Sequence, residues 1–206
     1  MFTRSDEESG MTEAAKGVSR RLLLAAPSLV ACTAGTAACA EPARAPGQVN
    51  PATLVAYFTR SGNTRVIAAT LQRAQQGGLF EIRARDPYPE DYEATVEQAR
   101  GERDRGYEPS LEARVPDLGT YRTVFLGFPI WGGTMPPVVR SFLSAHDLSG
   151  ATVRPFITHG GYGPGDSLEV LAARLRGAQA EPALVMQADQ ERRTLDEVRG
   201  WLARIA

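Results

Sequence analysis

The sequence predicts an α/β domain built on a parallel sheet with helices on both faces. Three observations predict it. Apolar runs of strand length, such as Thr53–Phe58 and Thr123–Pro129 (TVFLGFP), are nearly continuous, as strands buried on both faces require. Segments of helical spacing alternate with them, the pattern of successive βαβ units. Loops rich in glycine and hydroxyls follow the first, third and fourth strands, at the carboxyl ends where open parallel sheets bind ligands.

The elements follow in order. Thr53–Phe58 is the first strand. Arg65–Gln76 is a helix with Val66, Ala69 and Leu71 at apolar positions and a stop at Gly77-Gly78. Leu79–Ala84 alternates as the second strand, and Asp86-Pro87-Tyr88-Pro89 is a rigid turn. Asp91–Asp104 reads as a charged, exposed helix with Asp91 near its cap. Gly106–Tyr121 is irregular. Thr123–Pro129 is the third strand, and Pro136–Ala145 a helix with prolines in its first turn. Thr152–Thr158, Ser167–Arg176, Ala183–Gln187 and Glu191–Ile205 complete the series as strand, helix, strand and closing helix.

This domain, residues 52–206, is preceded by segments of another kind. Arg20-Arg21 stands directly before the apolar run Leu22–Ala31, which at about 1.5 Å rise per residue is too short to cross a hydrocarbon core of about 30 Å. Residues 1–40 read as a twin-arginine export signal, and residues 41–51, with Pro42, Pro46, Gly47 and Pro51, as a linker. The expected location is therefore outside the plasma membrane. Two processing routes stay open. Ala38-Cys39-Ala40 fits cleavage before Glu41, whereas Leu29-Val30-Ala31-Cys32 resembles a lipobox that would anchor Cys32 to the membrane. Both cysteines lie in this segment, so the mature domain offers neither a thiol nucleophile nor a zinc–thiolate site. A net charge of −1 does not suggest a nucleic-acid partner.

The three loops carry the chemistry. Thr59-Arg60-Ser61-Gly62-Asn63-Thr64 joins a strand to a helix, whose N-terminal N–H groups and partial positive charge hold anions. Three hydroxyls and a glycine let it wrap a phosphate, although serine and threonine also cap ordinary βα turns. Neither G-x-x-x-x-G-K-[ST] nor G-x-G-x-x-G follows this strand. Pro129-Ile130-Trp131-Gly132-Gly133 sets a tryptophan where it can lie flat on an aromatic ring, or else pack on a neighbouring loop. Thr158-His159-Gly160-Gly161-Tyr162-Gly163 offers N–H groups and Tyr162 as a second ring face.

With these motifs in this order, residues 53–206 resemble the flavodoxin-like family. Thr59–Thr64 is similar to its T/S-x-T/S-G-x-T phosphate loop, and Phe128–Trp131 and Thr158–Gly161 to its two flavin-ring loops. The resemblance implies a three-layer sandwich with a five-stranded sheet of order 2-1-3-4-5 and one non-covalent FMN. It implies that Thr59, Ser61, Asn63 and Thr64 hold the phosphate. Pro129, Trp131, Gly132 and Gly133 would line one side of the isoalloxazine, and His159 through Gly163 the other. Two departures concern the ring: Gly132 stands where many relatives have a second aromatic, and His159 where many have a small residue. An imidazolium at His159 is expected to favour the negative charge of the reduced ring; otherwise His159 bonds a neighbouring backbone carbonyl.

Gly165-Asp166-Ser167-Leu168 spells a hydrolase motif, but neither His146 nor His159 lies downstream of Ser167 to serve as its base, so Ser167 reads as a helix cap. His146, at a helix end, reads as a C-terminal dipole partner. The near-neutral charge favours an oxidoreductase acting on a quinone or other small acceptor over an acidic electron carrier that docks a protein partner. A cofactor-free binding module is the remaining alternative.

Overall fold

The computed structural model describes residues 52–187 and 191–205. The export signal, the linker and both cysteines lie outside the described residues.

Helices and strands alternate as expected. The strands are β1 (Thr53–Tyr57), β2 (Gly78–Glu81), β3 (Thr123–Pro129), β4 (Thr152–His159), β5 (Gln179–Ala180) and β6 (Leu184–Gln187). The helices are α1 (Asn63–Gln75), α2 (Tyr92–Asp104), α3 (Pro137–Ala145), α4 (Ser167–Arg174) and α5 (Glu191–Ile205). All strand pairs are parallel, and the order is β2-β1-β3-β4-β5, with β6 also on β4. Pleating sorts the side chains into two cores. Leu54 and Ala56 of β1 and Val124, Leu126 and Phe128 of β3 face Val138, Val139 and Phe142 of α3 and Leu171 of α4. Val55, Phe125 and Phe156 face Ile67 and Leu71 of α1 and Val198 and Trp201 of α5. Gly127 is required in β3, because a Cβ there would overlap the Phe156 ring.

Four expectations are corrected. The second strand ends at Glu81, not Ala84; Ala84 instead makes an isolated antiparallel bridge to Leu111. The fifth strand position is divided. Gln179–Ala180 pairs with Thr152–Val153, and Leu184–Gln187 pairs with Phe156–His159, so three residues bulge opposite Arg154-Pro155. Neither Pro155 nor Pro182 has an N–H for the ladder, and Arg154 ties the gap by bonding Glu181 and the Ile205 carbonyl. Helix α4 stops at Arg174, two residues early. Ser167 does not accept as an N-cap; its hydroxyl donates to the Pro164 carbonyl at 2.6 Å. His146 does serve the end of α3. Its Nδ1 donates to the Phe142 carbonyl at 2.8 Å, and its Nε2 accepts from the Val115 N–H at 3.0 Å.

Candidate functional site

The carboxyl ends of β1, β3 and β4 converge on the three predicted loops. In the first, the Thr59 hydroxyl accepts from the Gly62 N–H at 3.0 Å, and Gly62 takes a left-handed conformation. Helix α1 then begins at Asn63 with no side-chain cap, whereas Asp91 caps α2 by accepting from the Ala94 N–H. The Thr64 hydroxyl is buried and shares a 2.9 Å hydrogen bond with that of Thr158. It fastens the first loop to β4, so Ser61 is the one of the three hydroxyls that lines the open cleft. Arg60 donates to the Glu90 carbonyl and lies 5.4 Å from the Tyr92 ring centroid, on neutral partners.

The second loop is a tight turn. Trp131 and Thr134 exchange two backbone hydrogen bonds, and the residues between them, Gly132 and Gly133, both have positive φ. A turn with positive φ at both centres favours glycine, asparagine or aspartate there, and Gly-Gly fits it without strain. Trp131 is not free to lie in any orientation. It meets Phe58 edge-on at 5.1 Å and Tyr88 edge-on at 4.9 Å. Tyr88 in turn donates to the buried Glu102 carboxylate, and burial, with that carboxylate, pushes the phenol well above its ordinary range. The tryptophan therefore packs on a neighbouring loop while still lining the cleft.

The third loop corrects the expectation for His159. Its Nδ1 accepts from the N–H groups of Gly161 and Gly163, at 3.0 and 3.2 Å. That nitrogen is used as an acceptor in the loop itself, and its partners are N–H groups rather than a carbonyl. The two N–H groups are turned to the imidazole instead of to a ligand. Tyr162, at the tip, is 98% exposed among the described residues. The second and third loops are joined where the Asp166 N–H donates to the Gly133 carbonyl, an approach so close that a Cβ on Gly165 would overlap that oxygen.

A cleft of about 380 Å³ opens among these loops, a volume suited to a small-molecule ligand. Of the predicted residues, Arg60, Ser61, Asn63, Pro129, Ile130, Trp131, Gly132, Thr158, His159 and Gly160 line it. Thr59, Gly62, Thr64, Gly133, Gly161, Tyr162 and Gly163 shape or border the loops without lining it. One wall was missed: helix α2, expected to be an exposed charged helix, contributes Tyr92, Val96, Arg100 and Arg103. Their spacing of three and four puts them on one helical stripe, a signal available in the sequence. Among the described residues, the lining contains three arginines and no carboxylate. An uncapped helix, a serine hydroxyl, a cationic wall and a tryptophan make a donor set that fits a phosphorylated aromatic cofactor. Across Trp131 lies a second cleft of about 620 Å³, reaching Arg83, Tyr88 and Glu112.

The flavodoxin family model matches residues 52–205. A candidate flavoprotein from Bacteroides eggerthii is 31% identical, over 76% of this chain and 98% of that one, with a TM-score of 0.65. Another from Bacteroides uniformis is 25% identical, over 74% and 98%, with a TM-score of 0.66. A flavoprotein from Lactobacillus acidophilus, in complex with FMN, is 18% identical over 71% and 99%, with a TM-score of 0.59, a likeness of fold alone. No curated protein matches the sequence. With a matching family model over three-quarters of its length and the sheet order and loop positions described above, the chain belongs to the flavodoxin family.

Proposed function

We propose that the chain is an FMN-binding oxidoreductase that works outside the plasma membrane and reduces a quinone or another small acceptor. The observation that carries the FMN assignment is the cleft itself: lined by Arg60 and Ser61, with no carboxylate among its described lining residues, and opening on an uncapped helix N-terminus. Arg60, Ser61 and the first turn of α1 from Asn63 would hold the phosphate. Hydrogen bonds to a charged group contribute about 1.5–3 kcal/mol each, so this end dominates affinity. Ile130, Trp131 and Gly132 on one side, and Thr158, His159 and Gly160 on the other, would receive the ring. Bound FMN supplies reversible storage of two electrons. The protein's own part is to orient the ring against Trp131 and hold the loop geometry through His159.

Export follows from Arg20-Arg21 ahead of a short apolar run, because a twin-arginine route suits a protein that must fold around a cofactor first. Release after Ala40 gives a soluble protein; lipidation at Cys32 gives one anchored to the outer face. The near-neutral charge supports a small acceptor over a protein partner.

The test is titration of the purified protein with FMN and with riboflavin, followed by anaerobic reduction of the loaded protein with NADH, NADPH and a quinone tested in turn. Uptake of FMN with much weaker uptake of riboflavin is expected. A colourless protein that takes up no added FMN, or one that binds both equally, would overturn the assignment.

A further inference from the structure

We propose that Arg100 and Arg103 form a second anion subsite in the cleft, which takes the acidic group of a planar electron donor or acceptor. The proposal rests on the FMN reading above and names the class of molecule that reaches the cofactor: an aromatic or quinonoid compound bearing a carboxylate, sulfonate or phosphate.

The geometry separates two cationic ends. Arg60 lies over Tyr92, at the start of α2, beside Ser61. Arg100 and Arg103 come eight and eleven residues later on the same helix, about 12 and 16 Å along its axis. Arg103 reaches the second loop at Gly132, whereas Arg60 sits on the first loop beside Ser61. FMN carries a single phosphate, which the reading above places at the first loop. Arg100 and Arg103 are then left to meet another anion.

They are also weakly committed. Arg100 meets Glu97 at 3.5 Å with both side chains more than half exposed, and Arg103 meets its own neighbour Asp104 at 3.5 Å. The exposed Arg100–Glu97 pair holds its charges loosely. Arg103 reaches over the second loop to the place a Gly132 side chain would occupy.

The test uses the FMN-loaded protein and two redox-inert probes, naphthalene-2-sulfonate and neutral 2-naphthol, followed by the flavin difference spectrum with FMN saturating throughout. The sulfonate should bind more tightly than the naphthol, and the preference should shrink as salt rises. In R100Q/R103Q the preference should fall about tenfold or more, with naphthol binding unchanged. Arg100, being exposed, also permits R100Q alone if the double variant folds poorly; a fall of several-fold is then expected. Equal binding of the two probes by the unmodified protein, or an unchanged preference in the variants, overturns the subsite while leaving the FMN reading intact. Failure to take up FMN sinks that underlying reading, and this one with it.

Discussion

Tyr88 donates its hydroxyl hydrogen to Glu102 at 2.8 Å while the edge of its ring meets Trp131 at 4.9 Å. One side chain thus gives a buried carboxylate a hydrogen-bond donor and fixes the aromatic wall of the cleft. Tyr88→Phe leaves Glu102 with Gln98 as its remaining side-chain donor. Removing one partner of a buried charged group should cost about 1–3 kcal/mol of stability. In a Trp201→Phe background, Trp131 fluorescence should also change, since its neighbour is altered. An unfolding midpoint equal to that of the parent would dismiss the coupling.

Two of the hydroxyls of the first loop, Ser61 and Thr64, should behave differently. Ser61→Ala should weaken FMN binding by about tenfold to a hundredfold, because it removes a donor to a charged group. Thr64→Val should act mainly on stability, because it leaves the buried Thr158 hydroxyl without its partner. Isothermal titration and denaturant unfolding of both variants separate the two roles. A larger affinity loss for Thr64→Val than for Ser61→Ala would reverse the assignment.

His159→Ala should loosen the third loop. Without the imidazole, the Gly161 and Gly163 N–H groups lose their acceptor. Amide hydrogen exchange across residues 159–165 should rise, and FMN binding should weaken several-fold. Unchanged exchange would remove His159 from its role as the loop's brace.

Acid should destabilise the domain through His146. Burial, partly opposed by the bond to the Phe142 carbonyl, holds this imidazole below its ordinary value of 6.5. The unfolded chain then binds a proton that the folded one resists. Stability is fully present above about pH 6.5 and is lost as pH falls from there through the folded value. His146→Gln should flatten the slope of unfolding free energy between pH 7 and pH 5. An equal slope in both proteins would assign it to other groups.

Replacing Arg20 and Arg21 with lysine should leave yellow, FMN-loaded precursor inside the cell. Fractionation with absorbance at flavin wavelengths reads the outcome. Normal export of that variant would contradict the twin-arginine reading.

Much of this molecule can be read from its residues. The apolar runs of β1, β3 and β4 are buried on both faces, so their composition alone marks them. The three loops are legible because glycines and hydroxyls concentrate at strand ends. Other features are not local. β5 is two residues long and exists only because β4 offers backbone partners. The stripe Tyr92–Val96–Arg100–Arg103 looks like a solvated surface until tertiary packing sets it against the cleft. Which nitrogen of His159 faces the glycines depends on the turn that follows it, and the mutual bond of Thr64 and Thr158 spans 94 positions of sequence.

The divided fifth strand has a consequence for how the sheet meets other chains. A sheet's outer strand is a template on which another chain can add. Here that margin is two residues, a bulge with a proline, then four residues, crossed by the Arg154–Glu181 pair. On the opposite margin, β2 is four residues long and ends at Glu81, held between Arg65 and Arg83. Interrupted pairing and fixed charge are the ways sheets discourage edge-to-edge aggregation. Both margins of this sheet therefore offer an incoming strand too few consecutive partners to begin a fibre.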